Sequence, residues 1–306
     1  MADIQRSDVA TVIQEAYSHV LLDSAIASSS VLQAIPSVNM GSKLTHLPVL
    51  ATLPTAAWVT ESSTDPLAIK PTSKVQWQDL TLSAEEVAVI IPVHENVLDD
   101  ATVDVITEIT QRGGEAIGAA LDAAVLFGTN KPASWTSLDF HSAAHNNSQY
   151  VADVAGVANT ADLVGSVVQA ARFIAAKGLQ PDTIIAPLTW RYDIVNIRDS
   201  MGAPIFRDEQ FAGFNTIFNK NGAWVPTSAA AFVIDSSRIR IGMRTDIRVK
   251  LLDQASLTIG GAQVNLAERD MIGIRMLARY AYVLGISQTR LGTAVPVAAI
   301  VPPGGS

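Results

Sequence analysis

The residues that could perform chemistry are few in this chain, and their spacing gives none of them a clear catalytic role. His141 and His145 lie four residues apart, a spacing that places two metal ligands on one face of a helix. The stretch FHSAAHNNS around them is typical of a polar loop and contains no Glu or Cys that would complete a site. We therefore interpret these histidines as loop residues and predict no metal site.

Two pairs of adjacent carboxylates have a simpler interpretation than catalysis. Asp99 and Asp100 precede a long run of apolar residues at helical spacing, where helix capping and the helix dipole account for both side chains. Glu85 and Glu86 precede a strand and are interpreted as solvated charge. Neither pair predicts a general acid or base.

The common nucleotide and nucleophile motifs do not occur in the sequence. There is no G-x-x-x-x-G-K-[ST] loop and no G-x-S-x-G elbow, and GGEAIG lies inside a predicted helix. The absence of cysteine excludes disulfides, thiolate metal sites and cysteine nucleophiles. We predict no catalytic residue, no metal and no cofactor, so the chain is not expected to be an enzyme.

The composition indicates a protein that covers much of its surface with other copies of itself. The chain of 306 residues has 48% hydrophobic residues and 16% charged residues, whereas soluble domains average about 25% charged.

A net charge of -8 does not favour capture of nucleic acid. The longest apolar runs, VAVIIPV and AAAFVI, are too short to span a membrane, and MADIQRSDVATVIQ lacks the features of a secretory signal.

The first third of the chain is predicted to be an arm and a ribbon. Ser7 to Leu22 has the spacing of an amphipathic helix, and a Ser- and Pro-rich extended segment follows it. The stretch from Thr55 to Val93 contains two extended segments joined by a polar arm, with a strand at Ala57 to Thr60. The apolar phase shifts within Lys74 to Leu82, which predicts a bulge or bend.

The remainder combines helices with strands. A helix of roughly 27 residues is predicted from Asp100 to Phe127, and its three glycines indicate close packing against a neighbouring element. Residues 131–158 are predicted to be rich in loops. Helices are expected at Ala161 to Lys177 and Leu188 to Asp199, with a buried strand in GLQPDTIIAP between them.

Strands dominate from Phe211 onward, and their order with the helices indicates an α/β or α+β protein. Predicted strands occupy FAGFNTIF, AAAFVID, RIRIGMR, IRVKLL and MIGIRMLARYAYVLGI. Gly260 and Gly261 mark the tip of a hairpin within Asp253 to Gln263. Thr293 to Ser306 is predicted to be a loose tail.

The order of these parts resembles the major capsid proteins of tailed bacteriophages, which have the Hong Kong 97 type shell fold. SSSVLQAIPSVNMGSKLTHLPVL is similar to the family's N-terminal arm, AAWVTESSTDP to the entry of its extended loop, and VIIPVHENVLDDATVDV to its strand and spine helix. ALDAAVLFGTNKPASW, GLQPDTIIAPLTWRYDIVNIRDSMGAPIF and RYAYVLGISQTRL are similar to later segments, although the first departs in its glycines. The resemblance extends from about Ser28 to Leu291.

The resemblance implies an α+β fold with the family's arm, loop and two domains. The N-terminal arm would comprise residues 1–53, the extended loop 54–82, and the peripheral domain with the spine helix 83–160. Residues 161–237 would form the axial domain, 238–292 the return strands of the peripheral domain, and 293–306 the C-terminal tail.

The resemblance also implies a structural function. The chain would self-assemble through hexamers and pentamers into an icosahedral shell that encloses double-stranded DNA without sequence-specific binding. The expected contacts between subunits lie in the extended loop and at the hairpin tip: Trp58, Glu61, Asp65, Lys70, Lys74, Trp77, Gly260 and Gly261.

The implied partners are further copies of the chain and a portal protein, with no membrane. The resemblance is also compatible with separate scaffold, protease or decoration proteins. The scaffolding function would belong either to a separate protein or to an extension that was removed from this chain. The shell would be assembled in the cytoplasm of a bacterial host and would form the virion capsid.

Three other functions are compatible with parts of the sequence. An encapsulin-like nanocompartment shell would share the fold and load an enzyme in place of a genome. An oligomeric α/β enzyme would need a nucleophile, metal or phosphate motif that the sequence does not supply. A tail protein of the virion would not need the long spine helix.

Overall fold

The computed structural model describes residues 17, 19–59, 70, 72–100, 104–152, 161–195, 197, 211, 213–244, 248–259 and 261–302. The helices are α1 (19–28), α2 (Ser30–Ala34), α3 (Glu95–Asp100), α4 (Val105–Phe127), α5 (Phe140–Asn146), α6 (Ala161–Ala175) and α7 (Leu188–Val195). Within the described residues, no helix is both long enough and apolar enough to cross a membrane.

Sixteen strands are defined in the described residues. In chain order they are β1 (Ser37–Met40), β2 (Leu44–Thr52), β3 (Gln76–Ser83), β4 (Glu85–His94), β5 (Tyr150–Ala152), β6 (Thr183–Pro187), β7 (Asn215–Asn219), β8 (Ala231–Ile234), β9 (Ile239–Arg244), β10 (Arg248–Leu252), β11 (Ser256–Ile259), β12 (Ala262–Asn265), β13 (Met271–Leu284), β14 (Ser287–Thr289), β15 (Gly292–Ala294) and β16 (Val297–Val301). The predicted strands after residue 211 and the hairpin at 253–263 are confirmed.

The first large sheet is organised around β13. Along one edge, residues 271–280 of β13 pair with the whole of β4. Along the other edge β13 pairs with β10 and then with β9, which in turn pairs with β1. The residues of β13 alternate, so that Ile274, Met276 and Ala278 are buried on the face that α4 covers. On the opposite face Ala281 and Val283 are buried, whereas Arg275, Leu277 and Arg279 are partly accessible.

The second large sheet has the order β5-β16-β8-β6-β7 and is covered on both faces. The larger apolar core, here called the main core, contains residues of α4, α5 and β13, and Val297, Ala299 and Val301 of β16 belong to it. Ala298 and Ile300 of β16 belong to a second core with α6 and α7. The prediction of a loose tail after residue 292 is therefore wrong. The run VAAIV has no polar alternation because both of its faces are buried.

Helix α4 runs along the inner face of the first sheet, close to the predicted length. It begins after Asp104, whose carboxylate accepts a hydrogen bond from the Thr107 amide at 3.1 Å, and ends at Gly128 with φ 70. The prediction that Asp99 and Asp100 cap this helix is wrong, since both lie in α3 and the residue four positions later supplies the cap.

Two further predictions need correction. The stretch FHSAAHNNS forms helix α5, capped by Asp139 through the Ser142 amide at 2.9 Å, because Phe140 and the alanines that follow it pack into the main core. In the arm, residues 19–28 are helical beyond the predicted end at Leu22, and Ser30–Ala34 forms a helical turn in a segment predicted to be extended. Residues 7–16 and 18 of the predicted first helix lie outside the described residues.

A ribbon is present as an antiparallel pair of strands, but its first strand, Leu44–Thr52, lies in the predicted arm and not in the stretch from Thr55 to Val93. Strands β2 and β3 pair from Leu44 opposite Ser83 to Thr52 opposite Gln76, and the register shifts between Leu50 and Thr52. This irregularity adjoins the segment in which the sequence predicted a bulge. No strand covers the described residues 57–59 of the strand predicted at Ala57 to Thr60.

Candidate subunit-contact surface

The ribbon formed by β2 and β3 is anchored at its base by a small apolar cluster. Leu82 and Met40 are fully buried there against Ala281 and Val283 near the end of β13, and Leu80 packs against them. The Ala84 amide donates a hydrogen bond to the Lys43 carbonyl at 2.8 Å and closes the base. The direction of the ribbon is therefore fixed by the sheet.

Beyond this base the ribbon is exposed over most of one face, here called the ribbon face, on which Leu50 is half-buried. Directly opposed residues of an antiparallel pair share a face, so this face carries Leu44, His46 and Pro48 from β2 with Trp77, Asp79 and Thr81 from β3. All six are exposed, and Trp77 is 67% accessible. Leu44, Pro48 and Trp77 are exposed apolar groups on this face, and two-stranded ribbons have marginal stability in water, so the face has the character of a surface that another chain covers.

The chain continues from the ribbon into a loop with further exposed apolar groups. Trp58 is 99% accessible, and Val59 and Val75 are also exposed. The two arms of this loop meet where the Thr55 amide donates to the Ser73 hydroxyl oxygen at 2.9 Å. Large aromatic side chains with no contact in their own chain are the groups that dominate contacts between proteins.

The predicted contact residues divide into described and undescribed positions. Trp58, Lys70, Lys74 and Trp77 are exposed on the ribbon and its loop. Gly261 lies at the tip of the β11–β12 hairpin with φ 85, and open space surrounds it. Glu61, Asp65 and Gly260 lie outside the described residues. Contact of these eight residues with another subunit stays a prediction.

A buried carboxylate that the sequence analysis missed joins the arm to the rest of the chain. Asp122 on α4 is fully buried and accepts hydrogen bonds at 2.5–3.2 Å from the arm: the hydroxyls of Ser29 and Ser30 and the amides of Ser30 and Val31. The side-chain amides of Asn219 and Asn221 donate to the same carboxylate, each at 2.8 Å.

The electrostatics of Asp122 combine two opposing effects. Burial raises the pKa of Asp122, and the hydrogen bonds from Ser29, Ser30 and Asn221 act to lower it. The sequence did contain one signal of this site, namely a carboxylate within the apolar run ALDAAVLF. Charged side chains are almost never fully buried without partners, so a buried Asp122 implies hydrogen-bond donors elsewhere in the chain. Its partners lie more than 90 residues away in the chain and could not be found from local spacing.

The histidines and glutamates singled out in the sequence have structural surroundings. The rings of His141 and His145 stack at 6.2 Å, and Glu86 pairs with Arg279 at 3.1 Å. Glu85 lies 3.7 Å from Lys43, and hydrogen bonds from Ser134 and Ser83 lower the pKa of Glu85. Across the described part of the chain, no three acidic, His or Cys side chains are grouped closely enough to hold a metal ion.

Comparisons with known proteins agree on one family. A model described as the Phage capsid family matches residues 10–286. A solved structure from Mycobacterium phage Adephagia is 56% identical with a TM-score of 0.82 and 98% of each chain covered. One from Mycobacterium phage Cain is 55% identical with a TM-score of 0.83 and 100% of each chain covered.

A more distant structure extends the likeness in fold. "Capsid of native GTA particle computed with C5 symmetry" is 15% identical, with a TM-score of 0.56, and covers 92% of this chain and 91% of its own. No curated protein matches the chain.

Proposed function

The chain belongs to the phage capsid family, and from this premise we propose that its copies assemble through hexamers and pentamers into an icosahedral shell around double-stranded DNA. The protein is a structural component of the capsid of a tailed phage, with the Hong Kong 97 type fold. The family match over residues 10–286 carries this conclusion. Membership of this family points to a structural role and not to an enzymatic one.

The ribbon and its loop would make the contacts that join neighbouring subunits. Exposed aromatic and apolar side chains such as Trp58 and Trp77 provide contact area at small entropic cost, and the polar residues around them would form a solvated rim. A ribbon that docks on a different surface of the next copy forms a head-to-tail contact, which closes into a ring. Many contacts of this kind per shell sum to a stable assembly.

The two large sheets support the proposed division into a peripheral and an axial domain. The β4–β13 sheet with α4 would be the peripheral domain, and the β5–β16 sheet with α6 and α7 would be the axial domain that converges on the centre of each ring. Because β16 pairs with β8 and β5, residues 297–301 belong to this axial sheet. The axial domain would therefore include the end of the chain as well as residues 161–237.

The charge of the chain suits a shell that confines DNA without binding it by sequence. A net charge of -8 leaves few uncompensated cations to displace the counterions of DNA. We propose that assembly takes place in the cytoplasm of the bacterial host and involves a portal protein. Scaffold, protease or decoration proteins would be separate partners.

Negative-stain electron microscopy of the protein, expressed alone and together with its neighbouring genes, tests this function. We expect closed shells, or isolated rings with five- and sixfold symmetry. A uniform small oligomer under every assembly condition tried would overturn the proposal.

A further inference from the structure

A cavity lies between α4 and the sheet formed by β4 and β13, beside the segment that follows α4. Its volume is about 180 Å³, and its lining is mainly apolar: Val87, Leu121, Ala124, Pro132, Trp135 and Tyr280. The indole N–H of Trp135 donates to the Ser83 carbonyl at 3.0 Å, so this side chain offers a ligand only its apolar ring. Pockets for drug-sized ligands have about 300–1,000 Å³, and an apolar cavity of about 150 Å³ accepts benzene, so this cavity has room for one ring.

One wall of the cavity contains a buried hydroxyl group without a partner. Tyr280 on β13 is 2% accessible, and its hydroxyl oxygen forms no hydrogen bond within the described residues. Burial raises the pKa of Tyr280 to about 12, so the hydroxyl keeps its proton at neutral pH and remains a donor. A buried polar group without a partner is unfavourable, so a ligand that supplies the partner removes this penalty when it binds.

A carboxylate stands beside this hydroxyl group. Glu85 on β4 lies directly opposite Tyr280 in the antiparallel register, so the two side chains project from the same face of the sheet. A hydrogen bond from Ser134 lowers the pKa of Glu85, which is therefore anionic at neutral pH. Its ion pair with Lys43 is exposed to solvent and weak. None of the described residues that line the cavity is Lys, Arg or His, so the cavity favours a cation.

We propose that this cavity, here called the Tyr280 cavity, binds a small aromatic amine that carries a hydroxyl group on its ring. The ring packs against the apolar lining, the ring hydroxyl pairs with the Tyr280 hydroxyl, and the ammonium group pairs with the Glu85 carboxylate. The Tyr280 cavity is separate from the ribbon and its loop. The inference therefore goes beyond the proposed shell function and does not rest on it.

Isothermal titration calorimetry of the full, unassembled chain with three probes tests each part of the site. Tyramine has the ring, the ring hydroxyl and the ammonium group. The probe 2-phenylethylamine lacks the hydroxyl, and 4-(2-hydroxyethyl)phenol lacks the charge. We expect tyramine to bind about three- to tenfold more tightly than either of the other probes, because each of them loses one hydrogen bond.

Two substitutions separate the two polar contacts. Tyr280→Phe should weaken tyramine binding about three- to tenfold and leave 2-phenylethylamine binding unchanged, because only tyramine has a ring hydroxyl. The same substitution removes an unpaired buried group, so it should not lower the melting temperature. Glu85→Gln should weaken both amines by at least about threefold and leave 4-(2-hydroxyethyl)phenol unaffected. Thermal unfolding shows whether each variant is folded.

A larger side chain at the cavity provides the steric test. Ala123 lines the Tyr280 cavity and is half-buried, so Ala123→Leu should abolish binding of all three probes by filling the space. The matched control is Ala119→Leu. Ala119 is also half-buried on α4 but lines a groove against α1, so this variant should bind tyramine as the unmodified chain does.

The outcomes are independent of those for the shell function. Absence of tyramine binding to the folded, unmodified chain at about 10 mM would overturn the proposal and leave solvent as the occupant of the cavity. Binding that Ala123→Leu does not reduce would place the amine elsewhere on the chain and would also overturn it. Neither result bears on the formation of rings or shells, which electron microscopy measures separately.

Discussion

At the scale of single residues, the carboxylate of Asp122 determines how the N-terminal segment meets the rest of the chain. It accepts hydrogen bonds from the arm, at Ser29 to Val31, and from the end of β7 and the residues after it, at Asn219 and Asn221. Desolvating a carboxylate is costly, and its donors offset that cost only while all of them stay in place. One side chain on α4 therefore couples three segments that are far apart in sequence.

Replacing Asp122 should destabilise the fold more than any exposed change on the same helix. Asp122→Ala leaves buried hydroxyl and amide donors without an acceptor, and we expect a loss of about 3 kcal/mol or more in the free energy of unfolding. Urea denaturation of the unassembled chain, followed by circular dichroism, measures it. Glu115→Ala is the control, because its partner Arg112 is exposed and the change should stay within about 0.5 kcal/mol.

At the scale of elements, the glycines of α4 allow α1 to pack directly on its backbone, as their number in the sequence predicted. A Cβ atom on Gly114 would lie 2.7 Å from the Leu21 carbonyl oxygen, and one on Gly118 would lie 2.9 Å from the Ala25 carbonyl oxygen. These neighbours are backbone atoms of α1, which cannot rotate away. Glycine lowers the stability of a helix interior. In α4 this cost is offset because the glycines allow the backbone of α1 to come close.

Two glycine-to-alanine substitutions should have opposite effects on stability. Gly114→Ala should destabilise the chain although alanine is the better helix former. The added methyl group would clash with the backbone of α1, so α1 would have to shift away from α4. Gly165→Ala in α6 meets no atom within 4 Å and should stabilise the chain by about 0.5–1 kcal/mol. Thermal unfolding of both variants measures the difference, and a stabilised Gly114→Ala protein would contradict the packing of α1 on α4.

The end of the chain provides a second prediction at this scale. Ile300 in β16 is 2% accessible and packs in the second core, so Ile300→Ala should cost about 2–5 kcal/mol in unfolding free energy. Leu291, which is 62% accessible, serves as the control, and Leu291→Ala should change stability by about 0.5 kcal/mol or less. Equal effects of the two substitutions in urea titrations would show that β16 is not part of the sheet.

The elements that sequence reasoning found and those it missed differ in length and in the range of their contacts. Long periodic runs predicted α4 and β13, because 23 and 14 residues contain many repeats of the pattern. Helix α5 has 7 residues and β16 has 5, too few for a period to be distinguished from a loop or tail. The sequence placed Trp58 and Trp77 in a projecting loop, and their exposure could be predicted from that position. The hydrogen bonds of Asp122 could not be predicted, because they join residues that only the folded chain brings together.

At the scale of the whole molecule, two groups of exposed apolar residues lie where another copy could cover them. Trp58 and Trp77 lie on the ribbon and its loop, and Leu188, Tyr192 and Val195 are exposed at helical spacing along α7. A chain with 16% charged residues has little polar surface to keep such groups apart in solution. The proposed assembly accounts for both the composition and the position of these groups, with the ribbon and α7 as two separate proposed contact surfaces.

The same substitution at two tryptophans should separate assembly from folding. Trp58 is 99% accessible, so Trp58→Ala should leave the unfolding free energy of the isolated chain unchanged and raise the concentration needed for assembly by roughly tenfold or more. Trp135 is 6% accessible and donates to the Ser83 carbonyl at 3.0 Å, so Trp135→Ala should cost about 3–5 kcal/mol of folding stability. Light scattering during assembly and urea denaturation measure the two effects. Assembly of Trp58→Ala at the concentration of the unmodified chain would show that the loop tryptophan makes no contact between subunits.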